Sequence, residues 1–148
     1  IVHEFENFNY KFSITTTDTA PVELRSSFIE EMNQIDNIMI NHYLSLEFIK
    51  KIYFVLTQED VNIGYGCGVI ENGFLTIYEL FVLPEYRELG FGTMIFNEIR
   101  TFTDTSNLKI RSITLPSDRT GKNFCESNLI TARALVMEEK RENSRYRP

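Results

Sequence analysis

From Glu79 to Gly92 the chain reads Glu-Leu-Phe-Val-Leu-Pro-Glu-Tyr-Arg-Glu-Leu-Gly-Phe-Gly. An apolar strand stops at Pro84, an Arg-x-x-Gly-x-Gly loop follows, and an amphipathic helical pattern begins at once. That arrangement suits a pyrophosphate. Glycines let the backbone close on an anion, and Gly90 and Gly92 can reach positive φ. The free amides at a helix N-terminus point toward negative charge, and the planar fork of Arg87 matches phosphate oxygens. A plain strand-to-helix turn is the rival reading, and it does not account for an arginine and two glycines at this spacing. Glu79 could also do chemistry. Until a bulge intervenes it shares a strand face with Leu75, Ile77 and Phe81, where desolvation would raise its carboxylate toward the range of a general base. A carboxylate at a sheet edge or in an ion pair is the competing reading. Glu85 and Glu88, inside the loop, read as solvated side chains.

These residues need elements to hold them. Residues 10–16 alternate and end in β-branched residues, a first strand. Asp18, Thr19 and Pro21 are helix-start residues; Leu24, Phe28, Met32 and Ile35 then form one stripe of an amphipathic helix. A short helix is expected over 44–51 and a strand over 52–58. Residues 61–70 alternate, with Val61, Ile63, Tyr65, Cys67 and Val69 on one face and Gly64, Gly66 and Gly68 on the other. No helix follows those glycines, which excludes a dinucleotide fingerprint. A bare glycine face instead invites close approach by a helix or a ligand. Asn72-Gly73 marks a tight hairpin into an almost continuously apolar strand over 74–83. The next helix carries Phe91, Ile95, Ile99 and Phe102 on one stripe. Then come a strand over 109–115, a helix over 118–127 and a last strand over 131–137. This order describes one mixed α/β domain spanning residues 1–148, with 139–148 a charged tail.

Composition narrows the function. The chain has 148 residues and 43% apolar content, enough for one substantial core. Its net charge of −6 argues against a nucleic-acid partner. It is compatible with a cationic acceptor and equally with ordinary solubility. No apolar run approaches a membrane span, the N-terminal stretch lacks a signal-peptide core, and a cytoplasmic protein is expected. Cys67 and Cys125 have no metal-ligand spacing and read as reduced thiols. His3 and His42 stand alone, and no metal is expected.

The Val-x-Pro-x-x-Arg spacing with Gly90 and Gly92, placed between strand and helix, resembles the acetyl-CoA-binding motif of the GNAT superfamily of N-acetyltransferases. A second signature of that family, Asn-x-x-Ala-x-x-Phe-Tyr-Glu-x-x-Gly-Phe, is partly matched over 118–130. Phe124 and Glu126 fit; Asp118, Gly121 and Leu129-Ile130 depart from it. Residues 134–138 look like the family's closing strand. The resemblance covers roughly 50–138 well and the N-terminal third in pattern only.

Several expectations follow from the resemblance. The fold would be a GNAT-type acyltransferase fold, a mostly antiparallel sheet splayed between the strands at 74–83 and 109–115 and flanked by helices. Acetyl-CoA would be the acyl-donor co-substrate. Arg87, Glu88, Leu89, Gly90, Phe91, Gly92 and Thr93 would anchor its pyrophosphate, and Phe81, Val82 and Leu83 would pair with the pantetheine arm. Glu79 would be the general base. The family's frequent general acid is a Tyr where this chain has Cys125. A thiol can also donate a proton, a packing role fits Cys125 equally, and Tyr65, Tyr78 and Tyr86 are substitutes. Arg119 would reach the cofactor or stay at the surface. The reaction implied is transfer of an acetyl group to a primary amine on a small molecule or peptide. Glu30, Glu31, Asp36 and Glu47 of the N-terminal helices would favour a cationic acceptor or form a solvated face. The alternative is a CoA-binding module with reduced or lost catalysis, acting as a sensor or partner-binding subunit. The resemblance also admits a homodimer.

Overall fold

The computed structural model describes residues 1–44, 49–115 and 117–139. Among the described residues six strands form a single sheet in the order β1-β2-β3-β4-β5-β6. They are β1 (Val2–Asn7), β2 (Tyr10–Thr17), β3 (Ile52–Gln58), β4 (Val61–Glu71), β5 (Phe74–Val82) and β6 (Lys109–Ser112). Neighbours are antiparallel except β5 and β6, which are parallel. Such a pair needs a crossover, and the helix α2 (Phe91–Thr105) supplies it. Helix α1 (Val22–Leu44) lies between β2 and β3, and α3 (Arg119–Ser127) follows β6.

Two apolar clusters pack on opposite faces of the sheet. Ile95, Phe96 and Ile99 of α2 meet Phe12, Ile14, Phe54, Leu56, Leu75 and Ile77 on one side. Leu24, Phe28 and Met32 of α1 meet Tyr53, Val55, Tyr65, Cys67 and Phe81 on the other. Ile35, the fourth residue of the expected stripe, is exposed because α1 breaks at Asp36, whose backbone is extended (φ −162°, ψ 99°). The glycine face of β4 is explained by a helix. A Cβ on Gly66 would sit 2.9 Å from Ile99 Cδ1, and one on Gly64 would meet Ile95 at 3.2 Å and the Phe81 carbonyl oxygen at 2.9 Å. The Asn72-Gly73 turn is left-handed at both residues, φ 53° and 80°, as a two-residue hairpin requires.

Several expectations are corrected. The strand β1 was not foreseen; its residues are mostly exposed and lack an alternating apolar face. Ile63 does not share a face with Tyr65 and Cys67. Leu56 pairs with Gly64 while Thr57 pairs with Asn62, so Ile63 is an extra residue that turns to the α2 side. Of the helix expected over 44–51, residues 45–48 lie outside the described residues, and 49–51 are not helical. The strand expected over 109–115 pairs only through Ser112, with one further bond from Ile113 N–H to the Ile77 carbonyl (3.1 Å). The last strand, 131–137, does not form: these residues are exposed and unpaired among the described residues. Parallel pairing thus ends at Ile77 and Ser112 while β5 continues to Val82. The sheet is splayed there.

Candidate active site

A one-residue bulge builds the site. Gly68 pairs with Ile77 and Cys67 with Glu79, so Tyr78 is the extra residue of β5. Because side chains alternate across a strand, one extra residue switches every later side chain to the other face. Leu75 and Ile77 therefore point to α2, whereas Phe81 points to α1. Glu79 follows Phe81 to the α1 side and is 5% exposed. Its Oε1 accepts from the Tyr65 hydroxyl at 2.8 Å and from Arg25 Nε at 3.1 Å. Its Oε2 has the longer contact to Arg25 Nε, 3.4 Å. The ion-pair reading of Glu79 is thus realised, with the partner supplied by α1.

Titration in this nest is strongly perturbed. Burial, then the Glu79 carboxylate, push the Tyr65 phenol far above its ordinary value. The Cys67 thiol rises for the same two reasons. Tyr53 also rises, through burial first and then its neighbours Cys67 and Glu79. Burial pulls Arg25 down, yet the Glu79 carboxylate and the two phenols more than offset it, and its guanidinium is held above the ordinary value. The sequence reading had missed Arg25, Tyr53 and Cys67 as members of this group. A signal existed: Arg25 sits next to Leu24 and three residues before Phe28, a cation beside the apolar stripe of α1.

The glycine loop stands at the end of the same strand. A single 3-10 turn, Pro84–Tyr86, leads into it, and Glu88 and Gly90 are both left-handed, φ 64° and 88°. Gly90 caps α2 without a side chain, and the first bond of the helix runs from Met94 N–H to the Gly90 carbonyl (3.0 Å). The amides of Phe91, Gly92 and Thr93 precede that bond and have no partner within the helix. Phe124 of α3 lies against this turn; a Cβ on Gly92 would be 3.2 Å from its ring. Leu89 is exposed at the loop tip.

The side chain of Arg87 turns away from the loop. Its Nε donates to the Val82 carbonyl at 2.8 Å, its Nη2 meets Glu31 Oε2 of α1 at 2.7 Å, and its guanidinium lies 5.2 Å from the centre of the Phe81 ring. Glu31, expected on an open acidic face, is therefore already paired. Val82 and Gly64 are opposite each other, and the Leu83 N–H bonds the Ile63 carbonyl at 2.9 Å. That makes Val82 a non-hydrogen-bonded partner in the ladder, with its N–H and C=O directed away from β4, into the splay. Leu83 N–H is committed to β4.

Cys125 is not brought to Glu79. It sits on α3 with its Sγ 3.5 Å from the Ser112 hydroxyl, on the β6 wall of the splay. Tyr78 donates to Glu71 at 3.0 Å and Tyr86 packs edge-on against Phe91, so of the three tyrosines only Tyr65 reaches Glu79. Arg119 begins α3, where Asp118 caps the helix through Gly121 N–H at 2.9 Å. Among the described residues no cluster of three His, Cys, Asp or Glu side chains is poised to hold a metal. No described helix is long and apolar enough to cross a membrane.

The family model of the GNAT acetyltransferases matches residues 22–125. The chain belongs to that family. A comparison with curated proteins finds no match. Solved structures with the same fold include a provisionally assigned acetyl transferase from Pyrococcus furiosus, with TM-score 0.72 and 18% identity over 87% of this chain and 99% of that one. Aminoglycoside N-acetyltransferase AAC(6')-Iy in complex with CoA has TM-score 0.63 and 14% identity, covering 89% of this chain and 95% of its own. An aminoglycoside acetyltransferase from an uncultured soil metagenomic sample, in complex with sisomicin, has TM-score 0.59 and 16% identity over 88% and 97%.

Proposed function

We propose that the protein is an acetyl-CoA-dependent N-acetyltransferase that acts on a primary amine by direct attack on the thioester. The observation that carries this reading is the Tyr78 bulge. It presents Glu79 to the α1 side at the level where β5 and β6 part, one strand end from a turn of free helix amides. The chain's residues fit CoA: the amides of Phe91, Gly92 and Thr93, with the left-handed turns at Glu88 and Gly90, can hold a pyrophosphate. The C=O of Val82, once Arg87 Nε releases it, can accept from the peptide-like pantetheine arm. Bound acetyl-CoA would supply the activated acetyl group.

The protein's own groups then have separate tasks. Val82 N–H, directed into the splay, is the donor we assign to the thioester oxygen as charge develops there. Glu79 receives the proton of the acceptor ammonium, directly or through one water, with Arg25 and Tyr65 fixing the carboxylate. Cys125, beside Ser112 on the opposite wall, would return a proton to the departing thiolate. Arg87 would leave Glu31 to face the phosphates. Amine acceptors would enter from the α1 side. Aminoglycosides are one class to test, since two proteins of the same fold are aminoglycoside acetyltransferases.

The test is thiol release from acetyl-CoA across polyamines, aminoglycosides, amino acids and peptides, with calorimetry of cofactor binding alongside. Release with one class, and a Glu79→Gln variant that loses turnover while binding acetyl-CoA normally, is the expected result. A second reading has its own observation: Glu79 is already held by a guanidinium and a phenol, as befits a CoA-binding module without turnover. Tight binding with no release for any class would favour it.

A further inference from the structure

The ion pair at Glu79 is lopsided. Arg25 donates to Glu79 through Nε alone, at 3.1 and 3.4 Å. A guanidinium has five N–H donors in a fixed fork, and the terminal nitrogens of Arg25 have no acceptor among the described residues. Exposure runs the same way: the Arg25 side chain is 19% exposed and that of Glu79 6%. A molecule arriving from the α1 side therefore meets the cation first. Glu31 of α1 does not balance it, being held by Arg87 at 2.7 Å. Tyr53, Tyr65 and Cys67 carry no charge at neutral pH, because burial and their neighbours raise all three. Lys51, half-buried just before β3, lies near enough for its charge to act on the Cys67 thiol. It has no ion-pair partner among the described residues. Two cations thus stand around the one carboxylate of Glu79.

We infer that the acceptor is an amine with its own carboxylate close by, an α-amino acid in the simplest case, and that Arg25 anchors that carboxylate while Glu79 meets the ammonium. The role given to the ammonium rests on the acetyl-transfer reading; the carboxylate anchor does not. Arg25 and Glu79 touch, so a ligand that pairs with both must carry its opposite charges equally close together. An α-amino acid does, with a single carbon between them. The planar fork of a guanidinium suits two-point contact with a carboxylate, and the largely buried setting strengthens such a bond. Aminoglycosides and polyamines bring cations alone and would set one of them against Arg25. A peptide's amino end carries an amide where the carboxylate is needed.

The experiment compares α-amino acids with their primary amides, which keep the amine and the side chain and remove the negative charge. Binding is followed by calorimetry with and without CoA, and thiol release from acetyl-CoA is measured alongside. The acids should bind at least about tenfold more tightly than the amides, and the difference should appear in KM rather than kcat. The side-chain N–H resonances of Arg25 in the wild type should shift with the acid and not with the amide. In Arg25→Lys, which keeps a cation beside Glu79 and loses the fork, the preference for acid over amide should largely disappear. Equal binding of acid and amide, binding of neither, or an undiminished preference in folded Arg25→Lys would overturn the inference and leave acetyl transfer to other amines standing. A preference for the acid without thiol release from any amine would instead refute the transferase reading and leave the carboxylate anchor in place.

Discussion

Two segments of this chain carry much the same kind of sequence and reach opposite ends. Strand β5, Phe-Leu-Thr-Ile-Tyr-Glu-Leu-Phe-Val, lies between β4 and β6 under helices on both faces. Residues 131–138, Thr-Ala-Arg-Ala-Leu-Val-Met-Glu, stand in solvent without a ladder. Both contain apolar and β-branched residues in a strand-length run. The difference lies in their neighbours. Strand propensity is a fit to a pleated, half-buried surface, and only β5 has that surface within its own chain.

Sharp differences in response should follow. Arg25→Met would leave the buried Glu79 carboxylate of β5 without its cation, and a loss of about 3 kcal/mol is expected in urea unfolding. An unchanged midpoint would show that Tyr65 alone satisfies Glu79. Leu75→Ala removes a wholly buried side chain of β5 and should cost about 2–5 kcal/mol in the same measurement. Gly64→Val presses on the Phe81 carbonyl at 2.9 Å. Overpacking against backbone should cost about 1–3 kcal/mol, read as a lowered thermal midpoint. Leu135→Ala, at an exposed position, should change stability by less than about 0.5 kcal/mol.

Alkaline titration separates the segments in another way. The phenols of Tyr53 and Tyr65 and the thiol of Cys67 have folded values raised by burial. Their stabilisation is complete below the unfolded values and falls as pH rises above them, because the unfolded chain releases protons that the folded chain keeps. Loss should begin near pH 9, from Cys67, and steepen near pH 10, at about 1.4 kcal/mol per pH unit for each group. Cys67→Ala should delay the onset. Residues 131–138 contain no Cys or Tyr and should add nothing to it.

Much of this was legible in the residues. The glycine loop, α2 with its stripe, the Asn72-Gly73 hairpin and the middle of the sheet follow from local signals: periodicity, turn chemistry and a capping glycine. The bulge at Tyr78 left no such mark. Its sequence reads as an unbroken strand, and the extra residue is revealed only by the pairing of Cys67 with Glu79 and Gly68 with Ile77. The ion pair of Glu79 was equally hidden, because its partner Arg25 lies fifty-four positions away. Arg87 was expected at the phosphates from spacing alone, whereas its side chain is held by Glu31 of α1 and the Val82 carbonyl.

The sequence by itself determined which residues could do chemistry and the order of the elements that carry them, because motif spacing and hydrophobic period are local properties of a chain. Only the tertiary structure decided which face Glu79 occupies, what neutralises it, and whether a strand-like segment finds a sheet. Those outcomes depend on register and on neighbours distant in sequence. A single extra residue in β5 is enough to change the first two, and the third turns on whether residues 131–138 meet the β6 edge, which among the described residues they do not.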